Sequence, residues 1–430
     1  MKTVDVLLGL QWGDEGKGKI VDVLAPQYDI VARFQGGPNA GHTIEFNNKK
    51  YILHSIPSGI FHDSTINIIG NGVVFDPLIF VNEINELKQA SINPIENLLI
   101  SKRAHFILPV HRLLDSVMEQ AKGEKKIGST LKGIGPAYTD KYARKGLRIG
   151  DINNTQFLNI YKKIKDEHLK YMHSIGFDEN NFLIDGISFK KYENKWLESI
   201  EILRLFKIID TEVYINEQIK EGKTVLAEGA QGTLLDIDFG SYPFVTSSHT
   251  VAGGVCIGLG ISPLKIRKIF GVFKAYCTRV GKGPFPTEQD NEWGELIRQK
   301  GNEFGSTTGR PRRCGWLDLP ALRYTTMINA VDALFMMKAD VLNNIDTIPV
   351  CSKYLLNNNY TNILPYDLDD NNLKPIYDNL PGWENLDNFN LPASFMNYVK
   401  NIELNLKTPI TMVSIGPDRT QTISLSDFMK

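Results

Sequence analysis

The chain has 430 residues, 42% of them hydrophobic and 23% charged, with 48 Lys+Arg against 49 Asp+Glu and a formal net charge of −1. That usage belongs to a globular protein with a sizeable core, and the balanced charge argues against bulk capture of nucleic acid or of an anionic membrane, leaving only local basic pockets. Four widely spaced cysteines (Cys256, Cys277, Cys314, Cys351) form no C-x-x-C pair, which disfavours structural zinc and a disulfide framework and fits a reducing cytoplasm.

In chain order, the first apolar run, Val4–Leu8, is interrupted by Asp5 and flows into a glycine loop, so it reads as a strand and not as a signal peptide. Similar short runs recur at Ile30–Phe34, Ile66–Ile69, Thr224–Glu228, Lys268–Phe273, Ala333–Lys338 and Ile410–Ser414, with longer helical patterns between them. Strands alternating with helices predict an α/β fold with a mostly parallel central sheet flanked by helices, like that of P-loop NTPases. Ligands of such sheets sit beyond the carboxyl ends of the strands. One domain over 1–430 is expected, with a charged, helical insertion at about 111–196 and Gly-, Pro- and Arg-rich substrate loops at about 275–319. Val251–Leu264 is apolar but too short to span a bilayer, which needs about 20 residues. The Asn- and Asp-heavy segment Asn357–Asn390 reads as a solvated loop.

Two loops carry chemistry. Gly13-Asp14-Glu15-Gly16-Lys17-Gly18-Lys19 follows the first strand and matches G-x-x-x-x-G-K, except that Ile20 stands where a Ser or Thr would bind magnesium. Its glycines allow backbone N–H groups to turn around a polyphosphate, the following helix adds its positive end, and Lys17 and Lys19 offer charge to β and γ oxygens. Asp14 is then the obvious oxygen donor to the metal, and an acid inside an anion cradle points to catalysis. The second loop, Gln35–Thr43, follows the next strand and contains Asn39, Gly41 and His42. An imidazole there can protonate or hydrogen-bond a phosphoryl oxygen near neutral pH.

QWGDEGKGK followed by GGPNAGHT resembles the signature pair of adenylosuccinate synthetases. STLKGIGPAYTDKYARKGLR (129–148), LAEGAQGTLLDIDFGSYPFVTSS (226–248), GSTTGRPRRCGWLD (305–318) and SIGPDRTQTI (414–423) agree with that family in order and spacing. The resemblance implies a GTP-dependent ligase of purine synthesis that joins L-aspartate to IMP through a 6-phosphoryl-IMP intermediate. It implies Asp14 as the base on the purine N1, His42 as the acid, Lys17 and Gln231 as catalytic partners, and one Mg2+ held by Asp14 and the Gly41 carbonyl. GTP contacts carry over to Gly13, Asp14, Glu15, Gly16, Lys17, Gly18, Lys19, Gly41, His42, Thr43, Arg312, Lys338, Ala339, Asp340, Ser414, Ile415 and Gly416. IMP contacts carry over to Asp14, Lys17, Asn39, Gly41, Thr130, Arg144, Gln231, Thr246 and Arg310, with Arg144 reaching across a homodimer. Aspartate contacts carry over to Ser306, Thr307, Thr308, Gly309, Arg310 and Arg312.

Two departures from the family pattern stand out. Pro311 replaces an Arg present in many relatives, and Met337 precedes Lys338 where the N-K-x-D guanine motif has Asn, which leaves Asp340 as the secure part of that motif. The alternatives are a GTP-dependent phosphotransferase without aspartate, which has no need of the 305–313 loop, and a non-catalytic nucleotide-binding scaffold, which has no need of Asp14 or His42.

Overall fold

The computed structural model describes residues 2–47, 49–305, 309–387 and 391–426. Its centre is a ten-stranded sheet. In chain order the strands are β1 (Val4–Gly9), β2 (Ile30–Arg33), β3 (Ile66–Ile69), β4 (Leu98–Ser101), β5 (Lys207–Ile209), β6 (Val225–Glu228), β7 (Ile266–Lys274), β8 (Ala333–Met337), β9 (Ile410–Ser414) and β10 (Thr422–Ser424). Across the sheet they run β5-β4-β3-β2-β6-β1-β7-β8-β9-β10, every pairing parallel except β9 with β10. The expected α/β architecture is therefore the observed one. Every residue of β1, β2, β6, β8 and β9 is buried, because helices cover both faces of a parallel sheet and leave no wet side to favour alternation.

This topology gathers the informative loops. β1 lies between β6 and β7, and β6 lies between β1 and β2. The segments leaving β1, β2, β6, β8 and β9 thus emerge along one edge of the sheet, at the carboxyl ends where open α/β sheets bind ligands.

The region 111–196 is largely helical. α2 (Pro77–Gln89) precedes it, and α3 (Pro109–Ala121), α4 (Ile134–Tyr142), α5 (Phe157–Ser174) and α6 (Phe189–Leu203) enclose a core centred on Trp196, with Phe106 edge-on at 5.5 Å and Tyr161 stacked at 5.5 Å. His111 of α3 and His168 of α5 both direct Nε2 at the same oxygen of Asp140 on α4, at 2.9 and 2.8 Å. The Leu108 amide donates to His111 Nδ1 at 3.0 Å, so His111 carries its proton on Nε2. That tautomer makes the trio a hydrogen-bonded clamp and leaves His111 without a lone pair for a metal ion.

Two readings of the sequence need correction. The Asn-rich segment is not simply a solvated loop: Thr347–Leu356, Asn359–Thr361 and Lys374–Pro381 form an antiparallel sheet. Asn357 and Asn358 both sit at positive φ, 49° and 64°, between the paired Leu356 and Asn359. Asparagine is there because a two-residue hairpin turn demands left-handed backbone, which Asn tolerates. The region 275–319 likewise contains more than loops. It includes the helix Glu292–Gly301, capped by the Asn291 side chain on the amides of Trp293 and Gly294, and a ribbon pairing Cys277–Arg279 with Arg313–Gly315. Among the described residues no helix is long and apolar enough to cross a membrane.

Candidate active site

The loop after β1 enters α1 (Lys17–Leu24) through Gly16, at φ 92°, and no side chain caps that helix start. An uncapped helix N-terminus presents free amides and the positive end of the helix dipole, which suits a phosphate. Asp14 sits at φ 59°, a backbone conformation that costs an L-residue about 1–3 kcal/mol and usually marks function. Glu15, fully buried, turns back into the loop. Its Oε1 accepts from the Gln11 and Gly13 amides at 3.0 and 2.9 Å, and its Oε2 from Lys17 Nζ at 2.5 Å. Glu15 therefore shapes the cradle from within.

Lys19 lies elsewhere than the sequence pattern suggests. Its ammonium donates to Ser414 Oγ at 2.8 Å, Gly416 O at 2.7 Å and Gln421 O at 3.0 Å. Burial pushes its pKa down to about 8. Instead of facing the phosphate loop, it ties α1 to the end of β9, where Ser414, Ile415 and Gly416 were expected to hold guanine.

His42, 6% exposed, opens the strand His42–Phe46. It lies hard against the phosphate loop: a Cβ added to Gly18 would stand 2.7 Å from His42 Cβ, a position only glycine can occupy. His42 Nδ1 meets Glu228 Oε1 at 2.5 Å, while Ser58 N and Oγ donate to the same carboxylate at 2.8 and 2.7 Å. A carboxylate partner fixes the proton on Nδ1, and Nε2 is left buried with no partner among the described residues. Burial and the charge of buried Arg33 pull the His42 pKa below its usual value, against the opposing pull of Glu228. The imidazole is thus neutral at pH 7 in the ligand-free protein.

Gln231, at φ 57° after β6, donates to Asn39 Oδ1 at 3.3 Å, and its own Oε1 is buried without a partner among the described residues. A Cβ on Gly36 would stand 2.8 Å from that oxygen, so the loops after β2 and β6 touch. Thr246, half-buried, joins the same turn through its amide to Leu235 O at 2.9 Å.

Asp14 accepts from Arg312 Nε at 2.6 Å. Burial raises the Asp14 pKa, but the charges of Arg312 and Lys274 outweigh it and hold the carboxyl below its usual range. Asp14 is therefore an anion, 30% exposed, that already attracts a cation.

Lys338, at φ 58°, and Ala339 and Asp340 follow β8. Asp340 Oδ1 is buried and has no partner among the described residues, and burial raises the pKa of Asp340. A carboxylate in that state is satisfied by a ligand presenting N–H donors, as the N1 and exocyclic amine of guanine do.

Gly305 N donates to Arg310 O at 2.8 Å, and Arg310 Nη1 would be 3.4 Å from a Cβ on Gly128, beside Ser129 and Thr130. Ser306, Thr307 and Thr308 lie outside the described residues. Gly309 is exposed, at φ 64°. Thr43 is half-buried beside His42, and Gly41 precedes it. Arg144, at φ 62° on the exposed turn after α4, forms no side-chain bond to the described residues of its own chain. The sequence reading missed two buried acids, Glu228 behind His42 and Glu303 behind Arg312. A carboxylate ending an otherwise apolar strand was a readable signal for the first; Glu303 offered none.

Comparison with known proteins places this arrangement. The adenylosuccinate synthetase family model matches residues 6–423. An adenylosuccinate synthetase of Parabacteroides distasonis is 55% identical over 427 residues, 98% of each chain. One of Christiangramia forsetii is 53% identical over 426 residues, 98% of this chain and 99% of the relative. The fully ligated adenylosuccinate synthetase of Plasmodium falciparum superposes with a TM-score of 0.90 at 38% identity, covering 99% of this chain and all of the other.

Proposed function

The chain belongs to the adenylosuccinate synthetase family, and from that membership we propose how its residues share the reaction. It is a carbon–nitrogen ligase: GTP drives the joining of L-aspartate to IMP, giving adenylosuccinate, GDP and phosphate, the committed step from IMP toward AMP. The purine 6-oxygen is a poor leaving group until it is phosphorylated. Asp14, ionised and inside the cradle, takes the N1 proton and so makes that oxygen nucleophilic. The α1 amides and Lys17 hold the polyphosphate. His42, locked by Glu228, presents Nε2 to the transferring group. The aspartate amine then attacks C6, the C6–N bond forms, and the C6–O bond breaks with phosphate leaving.

The observation carrying this reading is that one glycine loop carries an ionised Asp14 and lies against a buried His42 whose Nε2 has no partner among the described residues. Magnesium fits the same place, since an ionised, part-exposed carboxylate that already attracts a guanidinium suits a hard cation; Asp14 and the Gly41 carbonyl would hold it. When bound, the ion would neutralise charge on the phosphates. Arg310, Arg312, Gly309 and Ser306–Thr308 would take the aspartate carboxylates. Asn39, Thr130, Gln231 and Thr246 would take IMP, and Lys338–Asp340 with Ser414–Gly416 would take guanine. We read the chain as one catalytic domain with its helical block and loops inserted, working in the cytoplasm. Phosphate release with GTP, IMP, aspartate and magnesium, omitting one at a time, tests the function. Each omission is expected to stop turnover, and undiminished release without aspartate would point to a simple phosphotransferase.

A homodimer sharing Arg144 is part of the proposal, supported by the exposure of Arg144 and its lack of a side-chain partner among the described residues. Arg144→Leu and Asp14→Asn proteins, inactive alone, should regain a measurable fraction of activity when mixed, because one site of each mixed dimer is intact. No recovery after subunit exchange would place Arg144 outside the site.

A further inference from the structure

We propose that Glu303 is a positioning residue that couples the aspartate loop to the GTP-binding groups, a role that rests on the function proposed above. Glu303 is fully buried, and its carboxylate is the meeting point of four donors. Oε1 accepts from Lys274 Nζ at 2.8 Å, Tyr276 OH at 2.5 Å and Lys338 Nζ at 2.8 Å, and Oε2 accepts from Arg312 Nη1 at 2.6 Å.

These donors come from different parts of the site. Lys274 ends β7, and its backbone N donates to Oε1 of Gln11, in the segment leading into the phosphate loop, at 3.0 Å. Lys338 leads into Asp340, the guanine-facing acid, and also donates to Gly301 O at 2.7 Å. Arg312 reaches onward with Nε to Asp14 at 2.6 Å. The backbones of Glu303 and Arg312 also bond, Arg312 N to Glu303 O at 2.9 Å, with Phe304 bridged to Pro311 just beyond. That pairing, with Gly305 N on Arg310 O, joins the two described ends of the aspartate loop. One carboxylate thus holds the base of the aspartate loop, the lysine two residues before the guanine-facing acid and, through Arg312, the proposed catalytic base.

The charge pattern explains why an acid is needed. Lys274, Lys338 and Arg312 bring three cations together; Glu303 pairs with all three, Asp14 pairs with Arg312, and Asp340 opposes Lys338 from further along the chain. Without Glu303 the buried Lys274 and Arg312 and the part-exposed Lys338 would lose their shared anion, and Arg312 would be drawn toward Asp14. A Gln at this position offers one carbonyl oxygen, while its amide protons would face a cation. Lys338 and Arg312 would then lose their fixed spacing, whereas the IMP groups Asn39 and Gln231, which do not bond to Glu303, would keep theirs.

The test is steady-state kinetics on full-length Glu303→Gln and Glu303→Asp, with folding checked by circular dichroism and thermal melting. E303Q should raise KM for GTP and for aspartate by about tenfold each, leave KM for IMP within about twofold, and lower kcat. E303D keeps the charge on a shorter arm and should show the same split at about threefold. If E303Q fails to fold, the E303D constants decide. All three KM values unchanged, or all three worsening together, would overturn the coupling role. An unmodified chain that makes no adenylosuccinate would instead overturn the function on which the inference rests.

Discussion

Asp14→Asn is expected to lower kcat by about 10³-fold or more while GTP and IMP still bind, because removing a positioned general base costs typically 10²–10⁴-fold. The substitution keeps the side chain's size and can keep one hydrogen bond to Arg312, so the loop has no steric reason to rearrange. What it removes is the negative charge and the ability to take the N1 proton. The pKa of Asp14 lies below its usual value, so the base is ready over the whole physiological range. Stopped assays for adenylosuccinate, together with equilibrium binding of each nucleotide, separate the two effects. A variant that binds both nucleotides and turns over within tenfold of the parent would remove Asp14 from the chemistry.

The second large effect is expected at His42. His42→Asn should also cost about 10³-fold in kcat, since it deletes the group facing the transferring phosphoryl. The electrostatics add a sign that can be measured. Burial and Arg33 depress the His42 pKa, so the ring is neutral in the free protein above its ordinary titration range. An arriving polyphosphate is an opposite charge to the protonated ring and raises that pKa. GTP binding near pH 6.5 should therefore draw protons up from solution, and this uptake should vanish in His42→Asn. Calorimetry in two buffers of different ionisation enthalpy reads it. Equal proton uptake in parent and variant would show that His42 does not sense the phosphates. Glu228→Gln should fall between parent and His42→Asn, because the amide can still occupy the site but no longer fixes the proton on Nδ1.

Much of this site was legible from the chain alone, for a physical reason. Strands buried on both faces must be short and apolar, and the loops leaving them must carry the polar chemistry, so β1, β2, β6, β8 and β9 announced both the sheet and its ligand edge. Side-chain direction was not legible. Lys19 follows a glycine in a phosphate-loop pattern, yet its ammonium is claimed by three oxygens at the end of the sheet, because it lies in the first turn of the helix that follows the loop, on the side facing the end of β9. Glu303 lies in a stretch that reads as substrate loops, with nothing to single it out. Its importance comes from partners 29, 27, 35 and 9 positions away, a convergence that only the fold creates. The Asn357–Asn358 turn failed for a third reason, since asparagine serves both solvation and left-handed backbone and composition cannot tell them apart.

The central claim is that the cradle turns the purine 6-oxygen into a phosphate ester that aspartate can expel. The direct measurement is isotopic: supply IMP carrying oxygen-18 at position 6 with GTP and aspartate, and weigh the released phosphate. The account predicts one labelled oxygen in each phosphate formed. Unlabelled phosphate alongside normal adenylosuccinate would contradict it, since the 6-oxygen would then have left by another route.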